Sequence, residues 1–376
     1  MGRRKTRVRY DRIVILLVSV VAFIGIIFGI FNSTSVKNYF FSKKTGYSIE
    51  TVKVFREKDI LKDVSSNKYS NTLESAISSN SYIDKYLTDY LHIKYKDDKD
   101  FISNINSLLE VGYNYNEINK IEDTLSSDSI AMVIDSEYNK QLFDYLGLSY
   151  FKEDNLERYF NYYKDNSDMD YTDIITYVNI GLDNEYYTNV VDIDNQDDTK
   201  VIVNKYHKLD NDYVPSDLET ISSKYQWLGR SNKLRHDARV AFEEMCAAAA
   251  EDGIHIYAGS GYRSFTTQKY LYDTYVKKDG FKEAETYSAR AGYSEHQTGL
   301  AMDIANKNGF ISLGDKEYDW LVNNSYKYGF ILRYPKGSET ITGYMYEEWH
   351  YRYLGKEAAK EIKDTGLTYD EYMARK

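Results

Sequence analysis

The chain has a single cysteine, Cys246, and only two prolines in 376 residues. One thiol excludes an intrachain disulfide and any metal site built from several thiolates, so a metal held within one chain needs histidine and carboxylate ligands. Positive charge is also short: 48 Lys and Arg against 58 Asp and Glu leave a net charge of −10, with no basic patch beyond the N-terminus. That argues against a nucleic-acid partner, because phosphate binding wants a basic face. Apolar residues are not short, and their 42% share is enough to build a core in each of two or more domains. Forty tyrosines, with abundant Asn, Asp and Lys, assign no mechanism by themselves.

Residues Ile13 to Phe31 run for nineteen positions without a charge. At about 1.5 Å per residue such a helix nearly spans the ~30 Å hydrocarbon core of a bilayer. Arg3, Arg4, Lys5, Arg7, Arg9 and Arg12 precede it, so the positive-inside rule puts residues 1–12 in the cytoplasm, residues 13–31 across the membrane and the remainder outside. A cleaved signal peptide is the alternative, but the run is longer than a typical signal core and no A-x-A-like site follows.

Residues 32–198 read as short amphipathic helices joined by Asn/Asp/Ser-rich turns. Ile83, Tyr86, Leu87, Tyr90 and Leu91 recur at three- and four-residue steps, on one helical face. Asp89 to Tyr95 is echoed by Asp144 to Tyr150, and Gly46-Tyr47-Ser48-Ile49-Glu50 by Gly112-Tyr113-Asn114-Tyr115-Asn116. Degenerate helical repeats with a period of about fifty-five residues fit these echoes, and a shared Tyr-rich composition is the alternative. From Tyr177 to His207 β-branched runs replace helical spacing, Pro215 breaks the chain, and a last domain is expected over residues 199–376. Inside it the spacing predicts a helix from Leu234 to Ala250, burying Leu234, Ala238, Ala241, Phe242, Met245, Cys246 and Ala249, with Gly253 as its cap. Cys246 is then a core thiol rather than a nucleophile. Ile254 to Ala258 alternates as a strand, which makes His255 a sheet residue.

The chemistry-bearing stretch is Ser294-Glu295-His296-Gln297-Thr298-Gly299-Leu300-Ala301-Met302-Asp303, joined later by Glu347-Glu348-Trp349-His350. Two histidines, an aspartate and a spare glutamate are what a catalytic zinc site needs: three ligands, an open fourth position and a base beside it. His296, Asp303 and His350 are the expected ligands. Gly299 lets the chain turn so that histidine and aspartate converge, and Leu300 to Ile304 alternates as the strand carrying Asp303. Arg263, in Ser260-Gly261-Tyr262-Arg263-Ser264, offers fixed donors for a carboxylate or a forming oxyanion. His207, His236 and Asp237 have no spacing that lifts them above solvated or capping roles.

S-x-H-x-x-G-x-A-x-D followed by E-x-W-H, with S-G-Y-R-S upstream, resembles the VanY-type zinc D-alanyl-D-alanine carboxypeptidases and their LD-carboxypeptidase relatives over roughly residues 200 to 360. The resemblance implies an α+β fold: a small antiparallel sheet with helices flanking it on one side, preceded here by a helical region and an N-terminal transmembrane helix. It also implies a Zn2+ cofactor, Glu347 rather than Glu348 as general base, substrate contacts from Arg263 and Gln268, Ser294 within reach of substrate, and Trp349 on the pocket floor. The implied substrates are peptidoglycan stem peptides, losing a terminal D-alanine to a membrane-anchored, outward-facing enzyme. LD-carboxypeptidases share the zinc and base residues, and they and an endopeptidase of the family are the nearest alternatives. A non-catalytic wall-binding protein is the alternative of another class, and it would have no need of Glu347. Tyr334-Pro335 to Tyr344 carries no diagnostic pattern and is expected to border the pocket that sets preference.

Overall fold

The computed structural model describes residues 10–376, so Arg3, Arg4, Lys5, Arg7 and Arg9, on which the expected orientation rests, lie outside the described residues. A helix spans Tyr10–Asn32. Its Arg12–Asn32 stretch is long and apolar enough to cross a membrane, and none of it is buried within the protein. A core helix would be covered by its neighbours, whereas this one exposes Leu16, Val21, Phe28 and their neighbours.

Contacts divide the chain into two compact units, Met1–Gly147 and Leu148–Lys376. In the first, short helices follow one another from Thr34–Thr45 to Leu142–Tyr145. Their starts are written in polar residues: Ser33, Ser48, Ser70, Asn114 and Ser126 each accept a first-turn backbone N–H. The face expected from Ile83 to Leu91 is not an α-helix. Two 3-10 turns, Asp84–Tyr86 and Asp89–Leu91, occupy it, because the Tyr90 hydroxyl folds back to accept the Ile83 N–H at 3.0 Å and closes the segment locally. A recurrence does exist in the side-chain bonding. After Gly46 (φ 90°), Tyr47 accepts the N–H of Ser70 at 2.8 Å; after Gly112 (φ 121°), Tyr113 accepts that of Asn139 at 3.2 Å. The step from Tyr47 to Tyr113 is longer than fifty-five residues.

The second unit is built on four strands: β1 (Tyr257–Ser260), β2 (Ala301–Ala305), β3 (Phe330–Leu332) and β4 (His350–Tyr353). They lie in the order β1-β2-β4-β3, every neighbour antiparallel. Successive side chains on a strand point to opposite faces. Met302 and Ile304 of β2 enter a core with Phe242, Met245, Cys246 and Ala249 from the helix His236–Glu251, which leaves Asp303 on the other face. The fold is therefore α+β, a small antiparallel sheet with flanking helices, as the resemblance implies.

Two local expectations shift. The helix starts at His236 because Leu234 is taken by a short strand, Lys233–Arg235, pairing with Leu218–Thr220; Leu234 is buried all the same. Strand β1 starts at Tyr257, so His255 is exposed and outside the sheet. The expected domain start near Thr199 falls inside the second unit, where the helix Tyr171–Ile180 packs on the C-terminal helix Tyr369–Ala374, Asn179 Nδ2 donating to the Ala374 carbonyl at 3.1 Å. Cys246 is a free buried thiol, and burial pushes its pKa well above the usual value.

Candidate metal centre

Strand register makes the first half of the site. Asp303 on β2 and His350 on β4 are directly opposed partners, so residues far apart in sequence share one face at adjacent positions. His296 arrives from the 3-10 turn Glu295–Thr298 just before β2. Gly299 ends that turn at φ 68°, a conformation that favours glycine, and a Cβ there would also crowd the tip of Leu218 at 2.8 Å. The loop after β1 holds the turn from the other side. Gly261 passes so close to the Lys233 carbonyl that a Cβ would sit 2.5 Å from it. His296 Nδ1 bonds the Gly261 carbonyl at 2.7 Å, and the Arg263 N–H donates to the His296 carbonyl at 3.1 Å.

The result is three buried side chains, His296, Asp303 and His350, offering ligand atoms that all lie within 4.8 Å of one another. Asp303 Oδ1 lies 3.3 Å from His296 Nε2 and 3.0 Å from His350 Nδ1. The imidazole rings are 5.0 Å apart and nearly perpendicular. His296 Nε2 is buried and makes no hydrogen bond. A buried nitrogen left open beside a carboxylate and a second imidazole is what a divalent cation fits.

Electrostatics agree with that use. Burial, with the Arg263 charge adding to it, lowers His296 to about 4, so its ring is neutral as a ligand must be. Burial alone would raise Asp303, but His296 and His350 outweigh it and hold the carboxyl well below the usual range. For His350 burial is likewise outweighed, here by its bonds to Asp303 and Glu295, which raise it to about 9; a proton and a metal compete for that ring. Glu347 Oε2 lies 3.7 Å from His350 Nδ1. Burial lifts its carboxyl to about 7, His350 opposing and Asp303 adding.

One cleft of about 610 Å³ is lined by all eight residues singled out above: Arg263, Gln268, Ser294, His296, Asp303, Glu347, Trp349 and His350. Glu348 does not line it. Arg263 Nη1 is 3.9 Å from Asp303 Oδ2, and its Nε is buried without a partner. Gln268 donates Nε2 to the Ala289 carbonyl at 2.7 Å and leaves Oε1 open. His236 pairs with Glu219 at 3.0 Å, and His207 bonds Asn204 at 3.0 Å, both away from the cleft. Tyr334, Tyr344 and Met345 also line the cleft, which is where the patternless stretch was expected to sit. A larger cavity of about 730 Å³ lies beyond Tyr344 and Met345, and it contains none of the three clustered ligands.

Sequence reasoning passed over Glu295, Arg333 and Arg352, all fully buried against the site. A signal existed for Arg352, two residues from His350 and therefore on the same face of β4. Arg333 adjoins β3, where its N–H donates to the His350 carbonyl at 3.1 Å.

The family model described as D-alanyl-D-alanine carboxypeptidase, VanY, matches residues 231–356. The putative carboxypeptidase YodJ of Bacillus subtilis is 39% identical over 207 residues, covering 52% of this chain and 76% of that protein. The chain belongs to the VanY family of carboxypeptidases. A D-alanyl-D-alanine carboxypeptidase of Enterococcus faecalis is 39% identical over 191 residues, 48% of this chain and 67% of that one. Similar solved structures include the LdcB LD-carboxypeptidase, 40% identical over 50% of this chain and 91% of its own, TM-score 0.47. Another is a vancomycin-resistance D,D-pentapeptidase VanY in complex with Zn(II), 36% identical over 46% of this chain and 98% of its own, TM-score 0.40.

Proposed function

We propose that this chain is a zinc carboxypeptidase that removes terminal D-alanine from peptidoglycan stem peptides, anchored by residues 13–31 with a catalytic domain, residues 199–376, on the outer side of the membrane. The observation that carries this reading is the convergence of His296, Asp303 and His350 on one buried point, with Glu347 beside them in an open cleft. Imidazole and carboxylate donors are those of catalytic zinc sites, and three of them leave room for a reacting group. When bound, zinc supplies Lewis acidity, which acidifies water and polarises a carbonyl.

The protein's own groups do the rest. Glu347 takes a proton from the attacking water as the C–O bond forms, holds it, and delivers it to the amine as the peptide C–N bond breaks. A carboxyl lifted to about 7 by burial is suited to both halves of that transfer. Arg263, with Nε unspent within the protein, grips the terminal carboxylate of the peptide or the negative oxygen at the scissile carbonyl. Gln268 Oε1 and Ser294 orient the peptide along the cleft wall, and Trp349 closes its floor. The uncovered apolar helix, following a basic segment, supports the anchor and its orientation.

Mass spectrometry of defined muropeptides incubated with the zinc-loaded, detergent-solubilised full chain tests this. The expected product is a pentapeptide shortened by one alanine, with an amidated C-terminus resisting cleavage. Shortening of the tetrapeptide instead would make the chain an LD-carboxypeptidase, and internal cleavage would make it an endopeptidase. No cleavage at all would favour the wall-binding reading.

A further inference from the structure

We infer that Glu295 is a positioning residue of the metal centre, its carboxylate accepting the Nε2–H of His350 so that Nδ1 is the nitrogen which that ring offers to a metal beside Asp303 and His296. The inference rests on the metal reading above, but its geometry stands on the protein alone. Glu295 is entirely buried. Its Oε1 accepts from Arg333 Nε at 2.8 Å and from Arg352 Nη1 at 3.0 Å, while Oε2 lies 3.3 Å from His350 Nε2. Arg333 is tied onward to Asp370 at 2.6 Å, and Arg352 donates to the carbonyls of Thr199 at 3.1 Å and Val201 at 2.8 Å.

A carboxylate clasped by two guanidiniums is an acceptor only. Whatever faces its second oxygen must donate, so Nε2 of His350 keeps a proton, and Nδ1, 3.0 Å from Asp303 Oδ1 and facing the three-ligand cluster, is the nitrogen that can exchange its proton for a cation. His296 is set the opposite way: its Nδ1 is spent on the Gly261 carbonyl, and Nε2 is free. Each imidazole thus has its tautomer fixed by an acceptor on the side away from the cation, which is how outer groups tune a metal's ligands. An ion network serving stability alone could close on Arg333, Arg352 and Asp370 and would have no reason to spend an oxygen on the ring.

Glu295→Gln tests this with little change of shape. The Gln oxygen still accepts from both arginines, but its amide nitrogen then faces His350 Nε2, donor against donor, and the ring proton moves to Nδ1. Competition of the metal-free full chain with a chromophoric chelator should give a zinc affinity about 10- to 100-fold weaker than wild type. Asp370→Asn disturbs the same network away from the ring; it should lower the melting temperature and leave zinc affinity unchanged. Imidazole 15N shifts of the zinc-loaded wild type, assigned with His350→Ala, should report a proton on Nε2 of His350 and none on Nδ1. Wild-type zinc affinity in Glu295→Gln, an equal loss in Asp370→Asn, or a zinc-loaded His350 with its proton on Nδ1 would each overturn the proposal. The tautomer measurement needs no variant at Glu295 to fold, and zinc content measured on the same sample separates failure of this inference from failure of the zinc reading.

Discussion

The two compact units bury polar side chains in different ways. In Met1–Gly147 most of the work is done by neutral groups that are used up, Glu122 being the one buried charge among the described residues: the hydroxyls of Tyr47, Tyr90 and Tyr113 each accept a backbone N–H, and the Thr72 hydroxyl donates to the Ile93 carbonyl. In Leu148–Lys376 the buried groups include full charges, Arg333, Arg352, Glu295, Asp303 and Glu347, and around the cleft some atoms are left open. Among the described residues, Arg263 Nε, Gln268 Oε1 and His296 Nε2 are buried without a partner and line that one cavity. Among its described residues the first unit has only Glu122 Oε1, on the helix Tyr115–Thr124, and Asn139 Nδ2, in the loop before Leu142–Tyr145, in that condition. Burying an unmet polar atom costs on the order of 1–3 kcal/mol, so a cluster of them marks where the fold holds atoms ready for something it does not itself contain.

That contrast can be broken most directly at the metal ligands. Chelation should bring stem-peptide turnover to background and added zinc should restore it, whereas Tyr47→Phe should leave turnover unchanged; activity surviving exhaustive chelation would remove the cleft's claim. Next in size is Glu347→Gln, which should lower kcat about 10²- to 10⁴-fold while metal content measured on the same sample stays at wild type. Arg263→Lys keeps the charge and loses the fixed fork, and kcat/KM on peptides with a free C-terminus should fall about 10- to 100-fold. An equal fall on amidated peptides would argue that Arg263 does not grip the carboxylate.

How much of this was legible in the sequence follows from what each feature depends on. The buried stripe Ala238, Ala241, Phe242, Met245, Cys246 and Ala249 depends on local spacing, and the helix presents those residues to the core. His296, Asp303, His350 and Glu347 were legible as a set because they fall in the S-x-H-x-x-G-x-A-x-D and E-x-W-H motifs that carry the family resemblance, and β2 and β4 bring the aspartate opposite the second histidine. Glu295 was invisible for the opposite reason. It reads as a spacer beside His296, and its meaning comes from Arg333, Arg352 and Asp370, which only strand order and the C-terminal helix gather around it. The turns at Asp84–Tyr86 and Asp89–Leu91 escaped because a hydroxyl bond from Tyr90 overrode an apolar spacing of helical period.

Smaller effects sharpen the comparison from the stability side. Tyr47→Phe strands the Ser70 N–H and should cost about 1–3 kcal/mol in the unfolding of its unit, read by denaturant titration. Lys205 is buried beside the rings of Tyr186 and Tyr344, and burial lowers its pKa from 10.5 to about 8. The unfolded chain keeps that proton up to 10.5 while the folded chain sheds it near 8, so stability rises with pH across this window. Wild type should therefore gain on Lys205→Met between pH 8 and 10, a difference that thermal melts at paired pH values would detect; a constant gap would mean that Lys205 is not desolvated.

The most direct measurement is metal stoichiometry by atomic emission on purified full-length chain and on the His296→Ala/His350→Ala double variant, each equilibrated with zinc and dialysed. The account predicts one zinc per wild-type chain, one in Glu347→Gln and none in the double variant. A wild type that retains no zinc, or a double variant that keeps its full share, would contradict it.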